Sequence, residues 1–368
     1  MRMKKILILA AMVAMTAACS HNYEVNPVSK NGGAIGFGSY TETLTRAEAR
    51  VQGTNTFLEG DTFAVYGSKK KGSDAPQAVF NNVVVTLGAS TWDYENHRFW
   101  DTNVDSYTFY AVSPSTVNSN ETAALNTTTG RVDASTAISF DGNNNDILVA
   151  DSITVAKGSS PYFNNYHTVD LQFNHIASLF DLYVRKSANI GAAKVTIDSV
   201  KLVNIDATGT FEVNNYSTSN HPAVTWTVDG GAAKANYTNA SGVYAHPAAM
   251  PDSIVADAAG NLILDSLIVM PQTFRNDANI QQVQISYKIT PNGGDTMVFK
   301  DVPCELYKFD NNHTGDNPHD TNEGTKIASW DPGKHYTFYI TIDANAIMFT
   351  ASITDWTLGT TGYYYLMN

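Results

Sequence analysis

Two kinds of residue near the start of the chain could do chemistry, a thiol and a pair of arginines. Cys19 closes a stretch in which Arg2, Lys4 and Lys5 precede an uncharged run from Ile6 to Ala18. A basic start and an apolar run shorter than the ~20 residues needed to cross a bilayer make a secretory signal, not a membrane span. The cysteine stands where a signal peptidase would otherwise cut, and Met15-Thr16-Ala17-Ala18-Cys19 resembles a lipobox. Residues 1–18 are therefore expected to be removed, leaving Cys19 acylated as the first residue of a tether, 19–33. Simple export with an incidental cysteine is the alternative. The arginines lie in Thr43-Leu44-Thr45-Arg46-Ala47-Glu48-Ala49-Arg50, which is polar and free of proline. Arg46, flanked by small residues, offers a trypsin-like protease the bond to Ala47, with Arg50 as a second site, because exposed loops are where nicking concentrates. A solvated surface arginine is the plainer reading.

Enzyme chemistry is not expected. The chain has no Gly-x-Ser-x-Gly elbow, no His-Glu-x-x-His and no phosphate-binding glycine loop before a helix. Asp141, Asn143 and Asn145 have part of a calcium-loop spacing without its glycine and distal glutamate, and His313, Asp316, His319 and Asp320 offer at most a loose cation site. Polar loops account for both, so no catalytic residue, metal or cofactor is assigned.

Composition narrows the partners. The net charge is −12, and loss of Arg2, Lys4 and Lys5 makes the mature chain more acidic still. That balance argues against nucleic acid and against electrostatic binding to anionic lipid, both of which need a basic face. Only Cys304 remains after Cys19, so no internal disulfide joins unmodified thiols, and stability must come from packed cores. A hydrophobic share of 43% can fill two of them.

The elements that would position Cys19 and Arg46 are strands. Ala34-Ile35-Gly36-Phe37-Gly38-Ser39-Tyr40 alternates Ile35 and Phe37 with small residues, a strand with one buried face. Phe63 to Gly67, Tyr107 to Val112, Val224 to Val228, Val283 to Ile289 and Tyr336 to Ile342 follow the same period, bounded by Gly, Asn, Asp and Pro. Antiparallel β-sandwiches result, and the 19 tyrosines fit a pleated, half-buried surface. The polar Gly158-Ser159-Ser160-Pro161 stretch predicts a boundary, with one sandwich over 34–167 and a second over 168–368. Trp92 and Trp100 are expected in a core, and His175 in a core or between domains. Ile347 to Ile353 alternates as a late strand, and in the tail beyond it Tyr363, Tyr365 and Met367 share one face of any strand formed.

Taken in order, several of these pieces resemble the fimbrillin family of pilin-like lipoproteins. They are Trp92-Asp93-Tyr94, Phe99-Trp100, Tyr107 to Pro114, Asp146 to Ala150, Leu171 to Ala177, Val269-Met270-Pro271-Gln272, Trp330 to Tyr336 and Ile353 to Trp356. The resemblance implies two tandem transthyretin-like, Greek-key β-sandwiches and a structural, adhesive role at the outer membrane. It implies lipid on Cys19, cleavage after Arg46 by an arginine-specific protease, loss of the strand bearing Ile35 and Phe37, and its replacement by a strand from another pilus subunit. In polymerising relatives the donor is C-terminal, which makes the tail with Tyr363, Tyr365 and Met367 the candidate. An ordinary last strand remains equally open, as do a tip adhesin or anchor gripping a host or bacterial surface ligand. A non-polymerising lipoprotein that binds glycan through exposed aromatics is the reading from another class.

Overall fold

The computed structural model describes residues 33–41, 57–116, 124–126, 131–140, 146–158, 168–215, 223–230, 235–238, 253–254, 260–309, 326–343 and 347–355. Among them the chain is built from β-strands, with short 3-10 turns and no α-helix. The first sheet runs in the order β1 (Phe37–Thr41), β10 (Val169–His175), β8 (Leu148–Ala150), β5 (Ser106–Ser113), β2 (Thr62–Lys70), β3 (Gln77–Leu87) and β4 (Trp92–Asp93), with β9 (Ile153–Ala156) also on β5. A second sheet is β16 (Asn261–Val269), β11 (Ser178–Lys186), β21 (Lys334–Ile342) and β22 (Ile347–Asp355). A third is β15 (Ala235–Thr238), β12 (Lys194–Ile205), β18 (Gln282–Thr290) and β19 (Met297–Glu305). A fourth is β14 (Ala223–Val228), β13 (Thr208–Asn215), β7 (Arg131–Ser139) and β6 (Ala124–Asn126), and β17 (Gln272–Thr273) pairs with β20 (Ser329–Trp330).

Side-chain alternation explains how the sheets stack. The second and third sheets face each other across a core of Phe180, Leu182, Phe338 and Ile340 against Val195, Val200, Val283 and Ile285. The first sheet curls around its own core, where Phe63 and Val65 of β2 meet Phe80, Phe109 and Phe173. The other face of β2 is also covered, since Ala64 and Tyr66 belong to a separate cluster with Ile138, Phe211 and Val213 of the fourth sheet. A strand buried on both faces reads as a continuous apolar run, which is why Phe63-Ala64-Val65-Tyr66 contains no polar residue.

The structure departs from the sequence expectations at two points. The proposed boundary at residue 168 does not separate the sheets: β10, just beyond it, completes the first sheet, and β7, well before it, pairs with β13. The polar stretch before β10 marks a loop within one sheet's connectivity, and alternation in Val169, Leu171 and Phe173 says which face is buried but not in which core. Nor are the sheets purely antiparallel, because β1 lies parallel to β10 and β11 parallel to β21. Strand periodicity carries no information on direction.

A buried amide ties the chain between β12 and β13 to the segment that follows β16. Gln272 Nε2 donates to the carbonyls of Asp206 and Met270, each at 2.9 Å, while its Oε1 accepts the Asp206 N–H at 2.9 Å. Gln281 Nε2 also donates to that Oε1, at 3.3 Å, and the Asp206 carboxylate pairs with Arg275. Gln272→Leu keeps the volume but strands the Asp206 N–H and its neighbours, which is expected to lower unfolding free energy by about 2–4 kcal/mol. A urea titration with unchanged slope and a lower midpoint is the expected result. His175, 7% exposed, has its Nδ1 2.7 Å from Asp146 Oδ1. Gly333, at φ +67°, turns against it there, since a Cβ would sit 2.9 Å from the His175 carbonyl oxygen.

Candidate functional site: the seat of the first strand

β1 and the residues leading into it settle here because Ile35 and Phe37 find apolar cover on one side while Gly36 and Gly38, which alternate with them, allow close approach on the other. Both side chains are sealed, at 0% and 2% exposure. Phe37 sits in a box of four rings: Phe63, Phe80, Tyr94 and Phe109, at centroid distances of 6.2, 5.3, 5.7 and 5.9 Å. Gly67 of β2 makes the box possible, because a Cβ there would lie 3.0 Å from both the Phe80 and Phe109 rings. On the outward face, a Cβ on Gly38 would meet Asp170 Oδ1 at 2.4 Å.

The backbone is held from two sides. Along one edge β1 pairs in parallel with β10, from Phe37 opposite Val169 to Thr41 opposite Phe173, and the Val169 N–H donates to the Gly36 carbonyl at 2.8 Å. Along the other, Ala34 makes an antiparallel bridge to Phe99, the Ile35 N–H donates to the Arg98 carbonyl at 2.7 Å and the Trp100 N–H to the Gly33 carbonyl at 3.4 Å. Tyr94 Oη donates to the Ile35 carbonyl at 2.6 Å and accepts the Arg98 N–H at 3.1 Å. Burial pushes the Tyr94 hydroxyl above its ordinary pKa, so it stays protonated at neutral pH and keeps this hydrogen bond. The strand thus closes a gap between β10 and the 98–100 segment, and its removal would bare both edges over an apolar core.

Of the residues singled out from sequence, the structure brings Ile35 and Phe37 together in this core. Cys19, Arg46, Ala47, Arg50, Tyr363, Tyr365 and Met367 lie outside the described residues. Trp100 is buried in the same core and Trp92 packs against it. Sequence reasoning missed Phe80, Arg98 and Gly67 as parts of the seat. The alternation of Tyr107, Phe109 and Ala111 marks a buried face, but nothing local says that the face looks onto β1. Among the described residues no group of three His, Cys, Asp or Glu side chains is placed to hold a metal ion.

These features define an all-β protein whose first sheet ends on the first of its described strands, β1. A family model described as fimbrillin-like matches residues 45–356, and the chain belongs to that family. The family is one of fimbrial structural and adhesion proteins, not of enzymes. The chain is 25% identical over 222 residues to fimbrium subunit Fim1C of Phocaeicola vulgatus, across 55% of this chain and 57% of that one. It therefore spans a little over half the length of this curated relative. A crystal structure of a fimbrial protein from Bacteroides vulgatus shares the fold, with a TM-score of 0.53 and 16% identity over 88% of this chain and 99% of that one.

Proposed function

We propose that this chain is a subunit of a cell-surface fimbria, exported as a lipoprotein anchored in the outer membrane through Cys19 and activated by proteolysis after Arg46. Cleavage releases the piece carrying β1, and a strand from another subunit takes its seat. The observation that carries this reading is the placement of β1. It is an end strand of its sheet, its Phe37 and the Ile35 just before it fill the core, and Arg46 lies in the stretch between its last residue, Thr41, and the next described residue, Phe57. The family match, which runs from residue 45 to 356, covers the body that would remain after cleavage. Main-chain hydrogen bonds from β10 and from 98–100 would supply affinity for the incoming strand, and the pockets of Ile35 and Phe37 its specificity.

Mild trypsin treatment of the unlipidated precursor, followed by N-terminal sequencing and electron microscopy, tests the proposal. The expected product begins at Ala47 and forms filaments or an SDS-resistant ladder. An uncut precursor, or a clipped chain that stays monomeric, would count against a polymerising subunit and for a tip, an anchor or a glycan-binding lipoprotein.

A further inference from the structure

The seat of β1 is not uniform along its length. At Phe37 it is specific for a flat ring: the contacts with Phe63, Phe80 and Phe109 are edge-on, with interplanar angles of 89°, 79° and 80°. Such contacts pair the positive edge of one ring with the negative face of another, which an aliphatic side chain does not reproduce. One residue earlier the seat is tight on its outer side, because a Cβ on Gly36 would lie 3.3 Å from Thr168 Cγ2. Two residues before Phe37, Tyr94 binds the main chain through the Ile35 carbonyl. Tyr94 is therefore both a wall of the box and a sensor of backbone register.

The other end of the chain supplies a matching pair. β22 ends at Asp355, and residues 356–368 follow it. Fully extended at ~3.3 Å per residue they reach roughly 40 Å, enough to span the length of the seat. Within 356–368 an aromatic residue follows a glycine at one place, Gly362-Tyr363, where β1 has Gly36-Phe37. Resting on the strand exchange set out above, we propose that the groove selects its incoming strand by an aromatic side chain in the Phe37 box, preceded by a small residue. In the tail of a second copy these are Tyr363 and Gly362, so that the tail enters with the polarity of β1 and the Asp170 carboxylate turns aside to admit Tyr364 at the place of Gly38.

The test uses the full unlipidated chain clipped after Arg46, or at an inserted protease site if Arg46 resists, so that the β1 piece stays bound without a covalent link. Labelled peptides are added in excess: the sequence 33–41, its Phe37→Ala and Phe37→Leu forms, the sequence 356–368, and its Tyr363→Ala and Tyr365→Ala forms. The two parent peptides are expected to displace the β1 piece. Phe37→Ala and Tyr363→Ala should weaken exchange roughly 100-fold or more, Phe37→Leu about tenfold, and Tyr365→Ala clearly less than Tyr363→Ala. In a Tyr94→Phe chain, which keeps the ring and loses the hydroxyl, both parents should weaken roughly fivefold. Equal exchange by all peptides, a larger loss at Tyr365 than at Tyr363, or failure of the tail peptide alone would overturn this assignment while strand exchange itself stands. Failure of every peptide, the native 33–41 sequence included, would remove strand exchange as well.

Discussion

Phe37→Ala in the uncut precursor is expected to lower the free energy of holding β1 in place by about 3–5 kcal/mol, the range for emptying an aromatic site in a packed core. The box offers little relief, since three of its walls, Phe63 of β2, Phe80 of β3 and Phe109 of β5, are anchored in sheet pairing, and the fourth, Tyr94, is hydrogen-bonded to the Arg98 N–H. The loss should appear locally. β1 is an end strand whose departure leaves the cores between the second and third sheets and beneath the fourth sheet intact. At ~1.4 kcal/mol per factor of ten, the open population should rise by roughly two to three and a half orders of magnitude. Hydrogen exchange of the Val169 amide, which donates to the Gly36 carbonyl at 2.8 Å, reports it directly. The global urea midpoint should move much less. A global shift of the full size, with no local acceleration at Val169, would mean that β1 cannot leave without unfolding the body, and a fimbrial subunit that sheds it would lose its physical basis.

The sequence made the strands legible and left their arrangement open, for reasons visible in particular residues. Ile35 and Phe37 were readable as one buried face because the strand lies at a sheet edge with its outward side, Gly36 and Gly38, only partly covered. Val283 to Ile289 and Tyr336 to Ile342 were readable for a similar reason, as each turns apolar residues into the core between the second and third sheets. The pairing of β7 with β13 was not readable, because it joins residues some 75 positions apart through main-chain groups common to every sequence. The aromatic box was hidden for the same reason. Its walls come from Phe63, Phe80, Tyr94 and Phe109, four separate stretches whose patterns each say "buried" without saying against what. Gly67 carried a trace of it, since a glycine inside a strand often marks the close approach of a neighbour. The residues proposed for processing and strand donation, Arg46 and Tyr363 among them, lie outside the described residues.

A covalent lock on β1 should separate cleavage from assembly completely. Gly38 and Asp170 are opposite each other in the parallel register, face outward, and are close enough that a Cβ on Gly38 would meet Asp170 Oδ1 at 2.4 Å. Cysteines at both positions therefore lie within reach of the 3.5–4.5 Å Cβ separation that a disulfide prefers. Cys304, the one native thiol after Cys19, is 1% exposed, and burial raises its pKa well above the ordinary thiol value, so it should not compete. In the oxidised Gly38→Cys, Asp170→Cys precursor, trypsin should still cut after Arg46, because that bond lies between the two cysteines, away from the lock itself. The released piece should stay attached, visible as a band that separates only on a reducing gel, and no filaments should form. Adding reductant to the same clipped sample should restore assembly to the level of the parent chain. The order of events decides the mechanism. Filaments from the oxidised, clipped protein would show that subunits join through a surface other than the seat of β1, whereas assembly that waits for the reductant would make departure of this strand the switch.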